Sequence, residues 1–397
     1  MFRQEKKYYA RAFLYALAMA AVLLAPFVLL DGGYFVYYGD YNAQQIPFYK
    51  TCIEAVQSGN LGWNWRTDLG ANFVGSYSFY TLGSPFFWFA ALFPVEISQY
   101  LMAPLLALKI ACSSFFAFVY IRRFVTNPQH ALIGGLLYAF SGYSMYNIFF
   151  NHFHEAIVFF PLLLIGLEES VVNKRRGALA AAVAINAFVN YFFFIGECVF
   201  LVLYFVIRLI GDSRFRIGVK DFFCLAFEAV CGVLIAGVLF VPSIFQVLDV
   251  PRSTSMLNGW DFLFYNKNQR YGLILEAMFF PGEVPARTIM FEKADSKWSS
   301  VALFLPLFSM SGVIAMVRGA ATEASRRMKW LRILLPACLI IAMIPGLNSS
   351  FVLFNYSFYT RWFYMPELLC AMATVYVLEH EEFDLGFGAK FSAAAAG

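Results

Sequence analysis

The chain has 397 residues, of which 61% are hydrophobic, 19% aromatic and only 14% charged, with a formal net charge of +4. Soluble domains carry about 25% charged residues, so these are too few to coat a water-soluble particle of this size, and +4 is no electrostatic footprint for nucleic acid. Soluble, disordered and nucleic-acid-binding classes are excluded, which leaves an all-α polytopic membrane protein.

A helix needs roughly 20 apolar residues to cross a hydrocarbon core. About ten candidate spans follow in order: residues 10–30, 99–121, 131–150, 156–167, 177–189, 194–210, 222–245, 299–317, 331–344 and 362–378. The first follows Arg3, Lys6, Lys7 and Arg11 and has no small-residue cleavage pattern before Asp31, which predicts a retained span. With the N-terminus inside, Arg122 and Arg123, Lys174 to Arg176, Arg214, Arg216 and Lys220, and the cluster Arg318 to Arg332 all fall on the cytoplasmic side. The short turns near Asn151 and Asn190 carry no Lys or Arg, as outer turns should. Residues 379–397 then form a cytoplasmic tail. Seven cysteines with no Cys-x-x-Cys pair suggest neither a disulfide frame nor a zinc site.

Two outer segments, 31–98 and 246–298, are long within what reads as a single transmembrane domain over 1–397. In the first, Ile46, Tyr49, Ile53 and Val56 recur at helical spacing until Gly59 closes the pattern. That predicts an amphipathic helix lying in the membrane interface. A Gly- and aromatic-rich stretch follows, containing Trp63 and Trp65. The apolar piece 84–94 is too short to span and reads as re-entrant or interfacial. A loop that returns twice to the membrane shapes a cavity at its surface.

Acidic residues outside the membrane are few, so each can be weighed. Asp40 directly precedes the amphipathic helix and is either its N-terminal cap or a general base on an acceptor hydroxyl. Glu155, at the mouth of the fourth span, is a capping residue or a site acid; His152 and His154 fall on different sides of a helix and make a poor metal pair. No outer Asp-x-Asp exists to hold a divalent cation, so a metal-independent site without a cofactor is expected. Arg361, among aromatic residues before the last span, either snorkels to lipid phosphate or grips a phosphate with its planar fork. Arg252 is a weaker candidate for the same task. Lys109, Glu197 and Glu228 lie within spans, where charges usually pair with one another; ion coupling is the transporter reading.

In these residues the chain resembles the YfhO family of bacterial membrane proteins, members of the GT-C glycosyltransferase superfamily. The resemblance is carried by Gly39-Asp40, Gln44 and Pro47-Phe48, by Leu69 to Phe73 with Ser84 to Phe86, and by Ser141-Gly142-Tyr143. It continues through the acid before Ala156, Pro161-Leu162, Asn190-Tyr191, Val241-Pro242 and Arg361. It covers nearly the whole chain and corresponds mainly to the front part of longer members, with Glu155 standing where an aspartate is expected.

The resemblance implies a GT-C-like fold and inverting transfer of a hexose or N-acetylhexosamine outside the bacterial cytoplasmic membrane. The donor would be a polyprenyl-phosphate sugar and the acceptor a cell-envelope glycopolymer such as a teichoic acid, with a donor synthase and a flippase as further partners. Asp40 would then deprotonate the acceptor, and Arg361, helped by Arg252, would steady the departing phosphate. Gln44, Asn72, Glu155, Asn190 and Tyr191 would hold sugar or acceptor, and Trp63 or Trp65 would stack on a pyranose face. The amphipathic helix and residues 84–94 would wall a groove for the lipid tail. The competing readings are a transporter or lipid flippase, resting on the charges within spans, and a non-catalytic partner in envelope assembly.

Overall fold

The computed structural model describes residues 2–67, 69–248, 257–283, 290–294 and 297–396. Nearly all regular structure is helical. The chain opens with α1 (Phe2–Leu30), whose apolar side chains Val22, Leu29 and Leu30 stay exposed, as expected of a helix solvated by hydrocarbon. The predicted amphipathic helix is α2 (Ile46–Gln57), entered through a π-turn over Tyr41–Gln45. Tyr49 and Ile53 are buried and Ile46 and Val56 half-buried, so the apolar face is covered largely by the chain itself. A two-stranded hairpin, β1 (Trp63–Asn64) and β2 (Ala71–Asn72), precedes the short helices α3 (Phe73–Tyr77) and α4 (Pro85–Ala90).

The bundle proper follows. It comprises α5 (Met102–Ile121), α6 (Pro128–Ala139), α7 (Gly142–Tyr146), α8 (Phe153–Val171), α9 (Ala178–Val189), α10 (Tyr191–Gly211) and α11 (Val219–Leu248). After the second long loop, which holds α12 (Gln269–Phe279), come α13 (Met310–Arg318), α14 (Glu323–Arg327) and α15 (Lys329–Met343). The last elements are α16 (Pro345–Ser349), α17 (Tyr364–Glu379) and α18 (Leu385–Ala396). Helix α5 is central, packed on α1, α6 and α8, whereas α11 touches the bundle through α9 and leaves Phe223, Leu234 and Val238 exposed. The segment expected as a tail includes α18, which lies along α13 through a Ser311–Ser392 hydroxyl pair at 3.1 Å.

The ten apolar runs do not become ten straight spans. Among the described residues four helices are long and apolar enough to cross a membrane, and α15 with residues Pro345–Val352 makes a fifth, bent by 101°. The bend follows from Pro345, which forces the preceding Ile344 out of the helical region to φ −110°, ψ 112°. The run at 131–150 breaks at Ser141, whose backbone is extended and whose hydroxyl caps α7. The run at 299–317 is non-helical until Met310, with Ser300, Leu307 and Phe308 all at positive φ. These interruptions meet: Gly142 N–H donates to the Phe304 carbonyl at 2.6 Å, and a Cβ on Gly142 would lie 2.9 Å from that backbone. Irregular backbone inside a bundle is tolerated where protein supplies its hydrogen bonds.

Candidate functional site at the broken end of the bundle

Asp40 follows Gly39, which takes a left-handed φ of +57° and lies so close to Trp298 that a Cβ would come within 2.9 Å of its ring. Asp40 itself has helical dihedrals, φ −63° and ψ −20°, and its carboxylate accepts no capping hydrogen bond. A capping residue is normally extended, so the capping alternative does not describe this side chain. Asp40 is half-buried. Burial raises its pKa above the ordinary aspartate value, and the charge of Arg361 pulls it part of the way back.

Arg361 supplies the opposite charge. Its guanidinium carbon lies 3.9 Å from the Tyr359 ring centre, 5.3 Å from Phe153, 5.5 Å from Phe192 and 5.7 Å from Phe150. Nε has no hydrogen-bond partner, and no carboxylate forms an ion pair with this arginine among the described residues. The loop that carries it is pinned from three sides. Tyr143 donates its hydroxyl to the Arg361 carbonyl at 2.5 Å, and Thr360 N–H donates to Ser299. Asn348 donates to the carbonyls of Ser357 and Tyr359 at 2.7 and 2.9 Å while accepting from Trp362 Nε1 at 2.7 Å. Tyr143 is fixed in turn by Glu367, which accepts from its backbone N–H at 3.2 Å and from Ser141 Oγ at 2.5 Å. The cation is therefore held in place without being neutralised.

Beneath it lies a buried polar cluster. Glu155 Oε1 sits 2.8 Å from Lys109 Nζ and accepts from Ser84 Oγ at 2.5 Å. Lys109 also donates to the Asn151 carbonyl and side chain at 3.0 and 3.1 Å. The pairing expected among Lys109, Glu197 and Glu228 is replaced by separate partners: Glu197 accepts from Tyr364 at 2.8 Å and Glu228 from Ser170 at 3.4 Å. His152 Nδ1 lies 3.0 Å from Gln45 Oε1, which requires the proton on Nδ1 and leaves Nε2 a bare acceptor. Burial and the charges of Arg361 and Lys109 push His152 well below the ordinary histidine pKa, so it is neutral. His154 points elsewhere, with Nε2 3.0 Å from the Ser144 carbonyl.

The other sequence candidates divide. Asn72 is exposed and caps α3, accepting from Gly75 N–H at 2.9 Å. Asn190 caps α10 and donates to the Phe79 carbonyl at 2.9 Å, so both asparagines are committed to backbone. Tyr191 is half-buried beside Phe79, and Trp63 and Trp65 form an exposed edge-to-face pair on the hairpin. Gln44 is half-buried, whereas its neighbour Gln45 is the one that reaches His152. Arg252 lies outside the described residues. Sequence reasoning missed Gln45, Asn348 and Glu367, and named Tyr143 only within a motif. Only the first left a signal, the stripe Tyr41, Gln45 and Tyr49 on one helical face.

Two cavities are lined by residues adjacent in sequence to the pair, and neither is lined by Asp40 or Arg361. One of about 340 Å³, lined by Tyr37, Tyr38, Ser141, Tyr146 and Glu283, opens on the Asp40 side. The other, of about 480 Å³ and almost wholly apolar, runs between α13, α15 and α17 and is lined by Trp362 and Phe363 but not by Arg361. Both fall in the size range of small-ligand sites. No curated protein and no solved structure shows significant similarity to the chain. The family model described as bacterial membrane protein YfhO matches residues 11–388. A membrane-length helical bundle matched over nearly its whole length in this way belongs to the YfhO family of bacterial membrane proteins.

Proposed function

We propose that the protein is a metal-independent, inverting glycosyltransferase of GT-C architecture that moves a sugar from a polyprenyl-phosphate donor to a cell-envelope polymer. The observation that carries this reading is a guanidinium held among aromatic rings with no ion-pair partner among the described residues, within electrostatic reach of a carboxylate not used as a cap. Cations left unneutralised in a water-poor site are suited to anions that arrive and leave. The family resemblance supplies the donor class, and the apolar cavity between α13, α15 and α17 has the chemistry to take an isoprenoid tail.

The acceptor hydroxyl enters through the cavity beside Tyr37 and Tyr38. Asp40 takes its proton as the oxygen attacks the anomeric carbon, and the bond from that carbon to the phosphate oxygen breaks on the opposite face. The electron pair leaves with the polyprenyl phosphate, whose growing charge Arg361 stabilises. Burial makes Asp40 a stronger base than an exposed aspartate. In this reading the site end faces outside the cytoplasmic membrane with both termini inside, which the positive charge of the segments between spans supports. A donor synthase and a flippase would supply the lipid-linked sugar.

The test is reconstitution of the purified chain with labelled polyprenyl-phosphate sugars and envelope polymer. Wild type transfers label to polymer and Asp40→Asn does not. Equal transfer by both proteins overturns the assignment of the base; no transfer across a panel of sugars and acceptors overturns the enzyme.

A further inference from the structure

The end of the bundle opposite Asp40 carries a second site of a different kind. A cavity of about 630 Å³ opens where the C-terminus of α10 meets α14 and the start of α15. Five cations and two carboxylates line it. Both carboxylates are already engaged: Asp212 accepts from Arg208 at 2.5 Å, and Glu323 pairs with Arg327 one helical turn away. Arg216, Arg326 and Lys329 remain, all exposed and with no carboxylate partner among the described residues. On the bundle side the cavity is bordered by Leu209 and Ile210, which continue a stripe of exposed apolar residues, Val202 and Val206, along α10.

We infer that this cavity binds an anionic phospholipid, with the headgroup phosphate among Arg216, Arg326 and Lys329 and an acyl chain along Val202, Val206 and Leu209. The union of three uncommitted cations with an apolar track leading from them fits an amphiphile better than a free anion. A basic pocket between helices is a known chemistry for acidic headgroups. The inference is independent of the catalytic reading, because it uses no residue of the Asp40 end.

The experiment measures thermal unfolding of the full chain in phosphatidylcholine nanodiscs and in otherwise identical discs containing phosphatidylglycerol, with lipid retention read by native mass spectrometry. Phosphatidylglycerol should raise the midpoint by about 2 °C or more through preferential binding to the folded state and remain bound on release from the disc. The triple variant Arg216→Gln, Arg326→Gln, Lys329→Gln should lose both effects, and Arg326→Gln alone should lose part of each. An equal midpoint in the two discs, or a rise retained by both variants, overturns the site. Inorganic phosphate producing the same shift as the lipid overturns the lipid assignment.

Discussion

Two arginines, each boxed by aromatic rings, sit at opposite ends of this bundle and are treated in opposite ways. Arg208 stacks 4.6 Å from the Trp330 ring and 4.8 Å from Phe215, and its fork meets both oxygens of Glu168 at 2.9 Å. Asp212 takes its remaining nitrogen, and Tyr204 donates to Glu168 at 2.5 Å. Arg361 has a similar aromatic surround and no carboxylate partner among the described residues. A saturated ion network holds helices together; an unsaturated one is left for something else to complete. The same side chain in similar rings is structural at one end and available at the other.

Substitutions break or sharpen that contrast. Asp40→Asn should lower transfer by about 10²–10⁴-fold, the range of a lost general base, while leaving the unfolding midpoint unchanged. Arg361→Gln should cost about 10²–10³-fold in turnover, again with the fold intact. Arg208→Ala should do the reverse. Leaving Glu168 and Asp212 buried and uncompensated costs about 3–5 kcal/mol of stability, read as a lowered midpoint with no selective change in turnover of the folded fraction.

The pH profile gives a subtler separation. Asp40 must be ionised to act, so the rate rises with pH through its pKa, which burial sets above the ordinary aspartate value. Removing the charge of Arg361 removes the influence that lowers it, so in Arg361→Gln the acidic limb moves to higher pH, whereas Arg361→Lys leaves it in place. Profiles that coincide for the two variants would separate Asp40 from Arg361. The smallest effect belongs to Asn72→Ala, which loses a helix cap worth about 1 kcal/mol and leaves transfer rates untouched.

Much of the scaffold was legible because long apolar runs have few alternatives. The ends of α5 and α11 fall within about three residues of their apolar runs, whereas α1 begins well ahead of its run, at Phe2. The breaks at Ser141 and after Ser299 were not legible, since each depends on a partner distant in sequence: Phe304 for Gly142 and Thr360 for Ser299. Asp40 and Arg361 stood out as charges in segments poor in them, but their proximity is a tertiary fact. Asn72 and Asn190 each cap a helix, and an amide that holds a sugar and one that caps a helix look alike in sequence. The π-turn over Tyr41–Gln45 re-aims its face, so Gln45 rather than Gln44 meets His152.

The bond between Gly142 and Phe304 has one more consequence. Each interrupted segment supplies the hydrogen-bonding group that its counterpart lacks. Straightening either into a regular helix would strand an amide or a carbonyl in a dry interior, so the pair behaves as a single trait that a lineage can keep or lose only together.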